Sequence, residues 1–138
     1  MPKVKSETYT GSLSFQNLYT SKNFGYRGVP CRSIDSEISG HRIELSFRSG
    51  VLSYTFCASK EGDVWCGKFA RTGRDHYNKI QCHTSGDTEG YEVKDLSVNS
   101  ASGKLHVKCL WVEEGQVWPM SFEGTCVSSN VHEDDDHL

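Results

Sequence analysis

The sequence predicts an all-β protein, an antiparallel β-barrel or sandwich of about eight strands stapled by disulfides. Three observations predict this fold class. Apolar and polar residues alternate along short stretches, turn-forming Gly, Ser and Asp residues separate those stretches, and six cysteines are spread along the chain. No long stretch has apolar residues at helical spacing, and 138 residues suit a single domain.

The alternation is clearest in two stretches. In HRIELSF the residues Ile43, Leu45 and Phe47 share one face, and in GSLSFQN the residues Leu13 and Phe15 do the same. This pattern is typical of strands with one buried face. Strands are predicted over residues 8–19, 41–48, 51–58, 64–70, 76–83, 90–98, 104–112 and 116–126.

The segments between the strands are predicted as turns and loops. The stretch NFGYRGVPC, residues 23–31, has two glycines and a proline and is predicted to be a loop. The stretch SIDSEIS, residues 33–39, is the one place where a helical turn is expected. Turns are predicted at residues 48–50, 60–63, 84–87, 100–103 and 113–116.

The stretch YTFCASKEGDVWCGKF places two cysteines on either side of a short polar loop. If KEGD is that loop, its midpoint lies between Glu61 and Gly62, and Cys57 then faces Cys66. Opposed residues of a non-hydrogen-bonded pair have Cα atoms ~4.5 Å apart, which a disulfide accepts. The hairpin is therefore predicted to carry a disulfide, since a metal site would need two more ligands.

The other four cysteines are also predicted to form disulfides. Zinc sites usually contain close pairs such as CxxC, and the sequence has none, so no metal or cofactor is expected. Four cysteines leave three possible pairings. The turn of the last hairpin places Cys109 opposite Met120 and not Cys126, which favours the pairs Cys82 with Cys109 and Cys31 with Cys126.

Charge and hydropathy exclude two classes of partner. The net charge is −3, and the segment HEDDDHL, residues 132–138, holds four acids, so the rest of the chain carries +1. That balance disfavours nucleic-acid binding. The sequence contains no run of ~18 apolar residues, the length that a membrane-spanning helix needs. We expect one β domain over residues 1–131 and a disordered acidic tail after it.

A catalytic site is the less favoured hypothesis. A secreted ribonuclease or hydrolase would need a histidine base, a carboxylate, an arginine for the phosphate and a histidine acid. The candidates are His41, Glu44, Arg42 or Arg71, and His76 or His83. Strand alternation places His41 and Glu44 on opposite faces, which weakens this set. The sequence has no nucleophile elbow, phosphate-binding loop or HExxH motif.

Aromatic residues are the better candidates for a binding surface. The last hairpin makes Trp111 and Trp118 cross-strand partners, which belong to the core or, if exposed, form a stacking platform for a sugar or a protein. Tyr26, Tyr77 and Tyr91 complete the candidate contact surface. A carbohydrate-binding module is thus a third hypothesis.

Residues 43–67, IELSFRSGVLSYTFCASKEGDVWCG, resemble the family of the major Alternaria allergen. These are small secreted fungal β-barrel proteins that include elicitors of the plant hypersensitive response. The similar features are a strand ending in FCA at 56–58, a polar loop, and WCG at 65–67. The resemblance implies a secreted, disulfide-bonded, non-enzymatic effector that binds a host or cell-wall partner and triggers plant defence or cell death. Monomer and homodimer both stay open.

Overall fold

Eight antiparallel strands form a closed barrel in the computed structural model, which describes residues 2–49, 52–72, 90–113 and 115–133. Each strand pairs with the next one in sequence, and the last pairs with the first. The predicted all-β class with about eight antiparallel strands is confirmed, and of the two predicted architectures, barrel and sandwich, the structure has the barrel. The strands are β1 Lys3–Gln16, β2 Asn23–Ser36, β3 Gly40–Ser49, β4 Leu52–Glu61, β5 Val64–Thr72, β6 Gly90–Ala101, β7 Lys104–Glu113 and β8 Gln116–Glu133.

Because successive strands run in opposite directions, the connections between them alternate between the two ends of the barrel. The upper end carries the loop 17–22 and the turn between β7 and β8. The lower end carries the turns 37–39, 62–63 and 102–103. Within the described ranges, no helix is long and apolar enough to cross a membrane.

The core lies inside the barrel. Ile43, Leu45 and Phe47 of β3 are buried, as are Leu13 and Phe15 of β1, so the alternation predicted for both stretches is confirmed. Each such side chain contributes ~1.5–3 kcal/mol when fully buried. The other core members are Tyr9, Val29, Cys31, Phe56, Ala58, Leu105, Val107, Cys109, Trp111, Met120 and Phe122.

The second strand was not expected from the sequence. Residues 23–31, predicted to be a loop, belong to β2, so that prediction is wrong. The register of β1 and β2 shifts between Gly11 and Leu13, where β2 has one extra residue. Gly28 lies in this bulge with φ +66°, a conformation that glycine adopts without steric cost. The glycine that indicated a loop is therefore a bulge residue.

The helical turn predicted over residues 33–39 is also wrong. Its first four residues complete β2, and Ser36 ends the strand. The Ser36 hydroxyl accepts hydrogen bonds from the backbone N–H groups of Ile38 and Ser39, both at 3.2 Å. Gly40 then enters β3 with φ +80°. A serine-capped turn accounts for the polar composition that indicated a helix.

The β4–β5 hairpin differs from the prediction in its register. The turn consists of residues 62–63, and Gly62 has φ +62°, the positive value that two-residue hairpin turns need at their first position. This moves the midpoint by one residue, so Cys57 pairs with Lys68. Cys66 is an exposed free thiol. The predicted Cys57–Cys66 disulfide is wrong.

Three more cysteines are free thiols in the structure, namely Cys31, Cys109 and Cys126. The predicted pairs Cys31–Cys126 and Cys82–Cys109 are therefore also wrong. Cys82 itself lies outside the described residues, as does the predicted strand 76–83. Burial raises the pKa of the Cys31 and Cys109 thiols to about 12, because the thiolate would lose its hydration inside the barrel.

We predict that thiol reactivity separates these cysteines. In the native protein an alkylating reagent modifies Cys66 first, whereas Cys31 and Cys109 stay unmodified, because reaction requires an accessible thiolate. Peptide mass spectrometry after timed alkylation measures this order. All four free thiols react after denaturation without reductant. Equal native rates for Cys31 and Cys66 would contradict the buried position of Cys31.

Barrel closure depends on a close approach of β1 and β8. Gly11 and Gly124 are paired across these strands. A Cβ on Gly11 would clash with the Glu123 carbonyl oxygen and the Gly124 Cα atom, and a Cβ on Gly124 would clash with the ring of Phe122. Only glycine fits at both positions.

We predict that Gly11→Ala lowers the free energy of unfolding by at least about 2 kcal/mol, because the new methyl group displaces backbone that cannot move freely. Gly25→Ala is the matched control, since a Cβ on Gly25 has no heavy atom within 4 Å. Its effect stays within about 0.5 kcal/mol. Urea unfolding measures both values, and equal stability of the two variants would contradict the close approach.

In the described part of the chain, the shortest strand pairing of the barrel joins β5 and β6. These strands share only two residue pairs in the described part of the chain. Next to this seam the Leu96 side chain of β6 lies against Gly67 of β5. A Cβ on Gly67 would be 3.0 Å from Leu96 Cδ2 and 3.2 Å from the Phe56 ring. Side-chain packing therefore continues where the hydrogen-bond ladder is short.

Candidate functional site

The two tryptophans predicted as a binding platform have different environments. Trp111 and Trp118 are cross-strand partners, as predicted. Trp111 is only 7% exposed and its ring lies 4.4 Å from that of Phe15. Tyr26, another candidate, packs against Phe15 at 5.7 Å and Phe47 at 4.9 Å. Of the two alternatives for this pair, the core holds for Trp111, so the two tryptophans do not form an exposed stacking platform.

The remaining predicted contact residues are placed less fully. Tyr77 lies outside the described residues, as does the candidate catalytic residue His76. Tyr91 lies on β6 opposite Phe69 of β5. Trp118 is half-buried and is the one predicted aromatic that contributes to a described surface patch.

Trp118 belongs to an apolar patch at the upper end, which we call the aromatic rim. Its members are Leu18, Tyr19, Phe24 and Trp118, of which the first three are 56%, 68% and 42% exposed. The rings of Phe24 and Trp118 are 5.8 Å apart. Large apolar side chains that stay exposed together are typical of contact surfaces.

Asn17 positions the loop that carries two of the rim residues. Its side chain is almost fully buried. The side-chain oxygen Oδ1 of Asn17 accepts hydrogen bonds from the backbone N–H groups of Tyr19 and Thr20, and its side-chain amide donates to Gln116 Oε1 at 2.9 Å. The Leu18 N–H donates to the Val117 carbonyl at 3.2 Å. The loop is thus held against the start of β8.

A groove of about 590 Å³ lies beside the aromatic rim on the barrel wall. Phe24 belongs to both the rim and the groove. The groove contains hydroxyl, amide, carboxylate and ammonium groups next to apolar surface. It is lined by Ser14, Phe15, Gln16, Asn23, Phe24, Asp95, Lys108, Cys109, Leu110, Pro119, Met120 and Ser121. We call it the side groove.

The predicted pair His41 and Glu44 does not form a catalytic site. His41 is opposite Asp35 across β2–β3, while Glu44 is three residues further along β3 and so on its other face. Glu44 contacts Arg42 there at 3.7 Å. The two groups cannot act on one substrate atom, so the predicted pairing of His41 with Glu44 in one site is wrong.

The structure instead surrounds His41 with other polar groups at the lower end. Its Nε2 atom lies 2.7 Å from the hydroxyl oxygen of Ser33, and its ring meets that of Trp65 edge-on at 5.0 Å. Strand pairing continues the row to both sides, with Lys5 opposite Asp35 and Lys60 opposite Trp65. We call this set the polar row: Lys5, Ser33, Asp35, His41, Lys60 and Trp65.

The pKa of His41 is lowered from its usual value of 6.5. Burial is the largest cause, because the imidazolium would lose hydration. Asp35 and Glu7 act in the opposite direction, and Lys60 and Lys5 add to the lowering. His41 is therefore neutral at pH 7, with Ser33 within hydrogen-bond distance. Deeper in the barrel, burial and Glu7 raise the pKa of Tyr9 to about 12.

The sequence contained a signal for the polar row. Ser33 and Asp35 are two positions apart on β2, so they share one face of the strand. The short turn that follows brings β3 back and places His41 opposite Asp35. A predicted helical turn over these residues concealed the pairing.

The described residues contain no group of three or more His, Cys, Asp or Glu side chains that could hold a metal ion.

Comparison of the chain with protein families, curated proteins and solved structures finds no match.

We predict opposite pKa shifts for two substitutions beside His41. Asp35→Asn lowers its pKa further and Lys60→Gln raises it, because the first removes an attractive charge and the second a repulsive one. NMR titration of the His41 ring protons measures both shifts. Glu44→Gln is the control on the other face and leaves the titration unchanged. Shifts of the same sign would contradict the polar row.

The sign of the stability effect follows from the same titration. Because the folded protein holds the His41 pKa below 6.5, the unfolded chain binds the proton more tightly. The contribution of His41 is therefore complete above pH 6.5 and is lost as pH falls toward its folded pKa.

Proposed function

We propose that the protein acts by binding and not by catalysis, and that its ligand is an oligosaccharide of a cell wall or host surface. In this proposal the side groove holds the sugar chain and the aromatic rim stacks against its end. The position of Phe24 carries the proposal, because Phe24 lines the groove and also neighbours Trp118 on the rim. One ligand could therefore contact both surfaces.

The chemistry of the groove suits a sugar. A pyranose ring has apolar C–H faces, which pack on aromatic rings, and hydroxyl groups, which need both donors and acceptors. Phe24 offers a ring, and Gln16 and Asn23 offer amides. Asp95 and Lys108 add an acceptor and a donor of opposite charge. The volume of the groove lies within the range of small-ligand sites, ~300–1,000 Å³.

We place this function outside the cell. Two observations support secretion. First, Cys57 is disulfide-bonded, and it is the one cysteine in the described ranges that is not a free thiol. Second, residues 43–67 resemble the secreted Alternaria allergen family. Disulfides persist in oxidising compartments, which is the physical reason for the first argument.

The biological role that we propose is that of a fungal effector or elicitor. The resemblance supports this role, and binding to a plant or fungal cell-wall glycan would place the protein where host receptors act. Infiltration of the purified protein into leaves tests it: cell death supports the role, and healthy tissue contradicts it.

The binding proposal predicts a specific response to two rim substitutions. Phe24→Ala and Trp118→Ala each weaken binding to the selected glycan at least tenfold, because each removes one stacking surface. A glycan array of cell-wall oligosaccharides identifies that glycan, and isothermal titration calorimetry measures the affinities.

Ile38→Ala is the matched control. Ile38 is 55% exposed and lies at the lower end of the barrel, so its loss removes apolar surface without touching the groove. We expect unchanged affinity for this variant. Silence across the array, or equal losses for Ile38→Ala and Phe24→Ala, would contradict the proposal.

A further inference from the structure

The end of β8 extends beyond its neighbour β7. The last pair between these strands joins Lys104 to Thr125, and Cys126 then donates its N–H to the Gly103 carbonyl. Residues 128–133 continue in regular pairing with β1. On their other side no strand of the described ranges pairs with them. We call residues 128–133 the β8 edge.

The β8 edge is open to solvent. All six of its residues are exposed. In an antiparallel strand the N–H and C=O groups of alternate residues point to opposite sides, so half of these groups face β1 and half face outward. The outward groups form a template on which another strand can pair.

The other incomplete edge of the barrel is protected, and this contrast is informative. On β6 the Leu96 side chain closes over Gly67 of β5. The register of β6 also shifts between Lys94 and Ser97, where Asp95 has φ +52°. Charged residues and bulges keep foreign strands from pairing. The β8 edge begins directly after a bulge at Val127. Within residues 128–133 there is neither a bulge nor a proline, and the first four residues, SSNV, carry no charge.

We propose that two copies of this protein associate by antiparallel pairing of their β8 edges. The charge pattern favours this occupant and this direction. Pairing about a two-fold axis at Val131 places Glu133 opposite Ser129 of the other copy and His132 opposite Asn130, since opposed residues must direct their backbone groups to the same side. Parallel pairing would place Glu133 opposite its own copy, and like charges in that position are unfavourable. The antiparallel dimer closes on itself, so neither β8 edge is left open for further addition.

The dimer has a consequence for binding. The β8 edge lies at the lower end of the strands, beside Lys5 and Glu7 of β1. The aromatic rim lies at the upper end, so both copies keep it uncovered. A dimer then presents two rims and would bind a repeating polymer more tightly than a monomer through effective concentration.

Two adjacent proline substitutions test the proposal on the full chain. Because N–H groups alternate in direction, only one of Ser129→Pro and Asn130→Pro removes an outward N–H. We expect that variant to keep its melting temperature while the dimer dissociation constant rises at least tenfold. The other variant loses a hydrogen bond to β1 and melts at a lower temperature.

Sedimentation velocity at about 100 µM protein in reducing buffer measures association at a concentration where weak dimers form. Hydrogen exchange gives an independent readout in the unchanged protein, since alternate amides within 128–133 gain protection as concentration rises. A monomer under these conditions overturns the proposal. So does a dimer that survives both prolines, or one that forms only without reductant and is therefore bridged by a disulfide.

Discussion

The close approach of β1 and β8 is the constraint on which the rest of the structure depends. A sheet of eight strands leaves two edges unless its first and last strands meet, and here they pair along most of β1. Gly11 and Gly124 make that contact possible, because no Cβ would fit at either position. Closure encloses the apolar faces in one core, and the extension of β8 beyond β7 leaves the exposed edge on which we base dimerisation.

Closure also separates two chemically different ends. The upper end has the aromatic rim and the side groove, which contains neutral and charged polar groups. The hydrogen bonds of Asn17 hold the loop that carries two of the rim residues. The lower end has the polar row around His41, where opposite charges offset one another. Since neighbouring strands alternate in direction, residues far apart in sequence meet at each end. Binding at the rim and pairing through β8 can therefore occur together.

Local patterns explain which features were predictable. The alternation around Ile43 and the turn of the last hairpin gave correct faces and the correct Trp111–Trp118 pair, because both depend on neighbours in sequence. The β4–β5 hairpin was wrong by one residue in its midpoint, since the positive φ of Gly62 set the turn. Residues 132 and 133, expected in a disordered tail, extend β8 because β1 offers them a partner.

The sequence by itself determined the all-β class, the approximate strand number and the inward faces of most strands, because these follow from composition and period-two patterning. Tertiary structure decided which residues meet. It made Gly28 a bulge residue, placed Ser33 and Asp35 beside His41, buried Trp111 while leaving Phe24 exposed, and left four cysteines as free thiols. Such choices depend on the register and closure of the whole barrel, and no stretch of neighbouring residues specifies them.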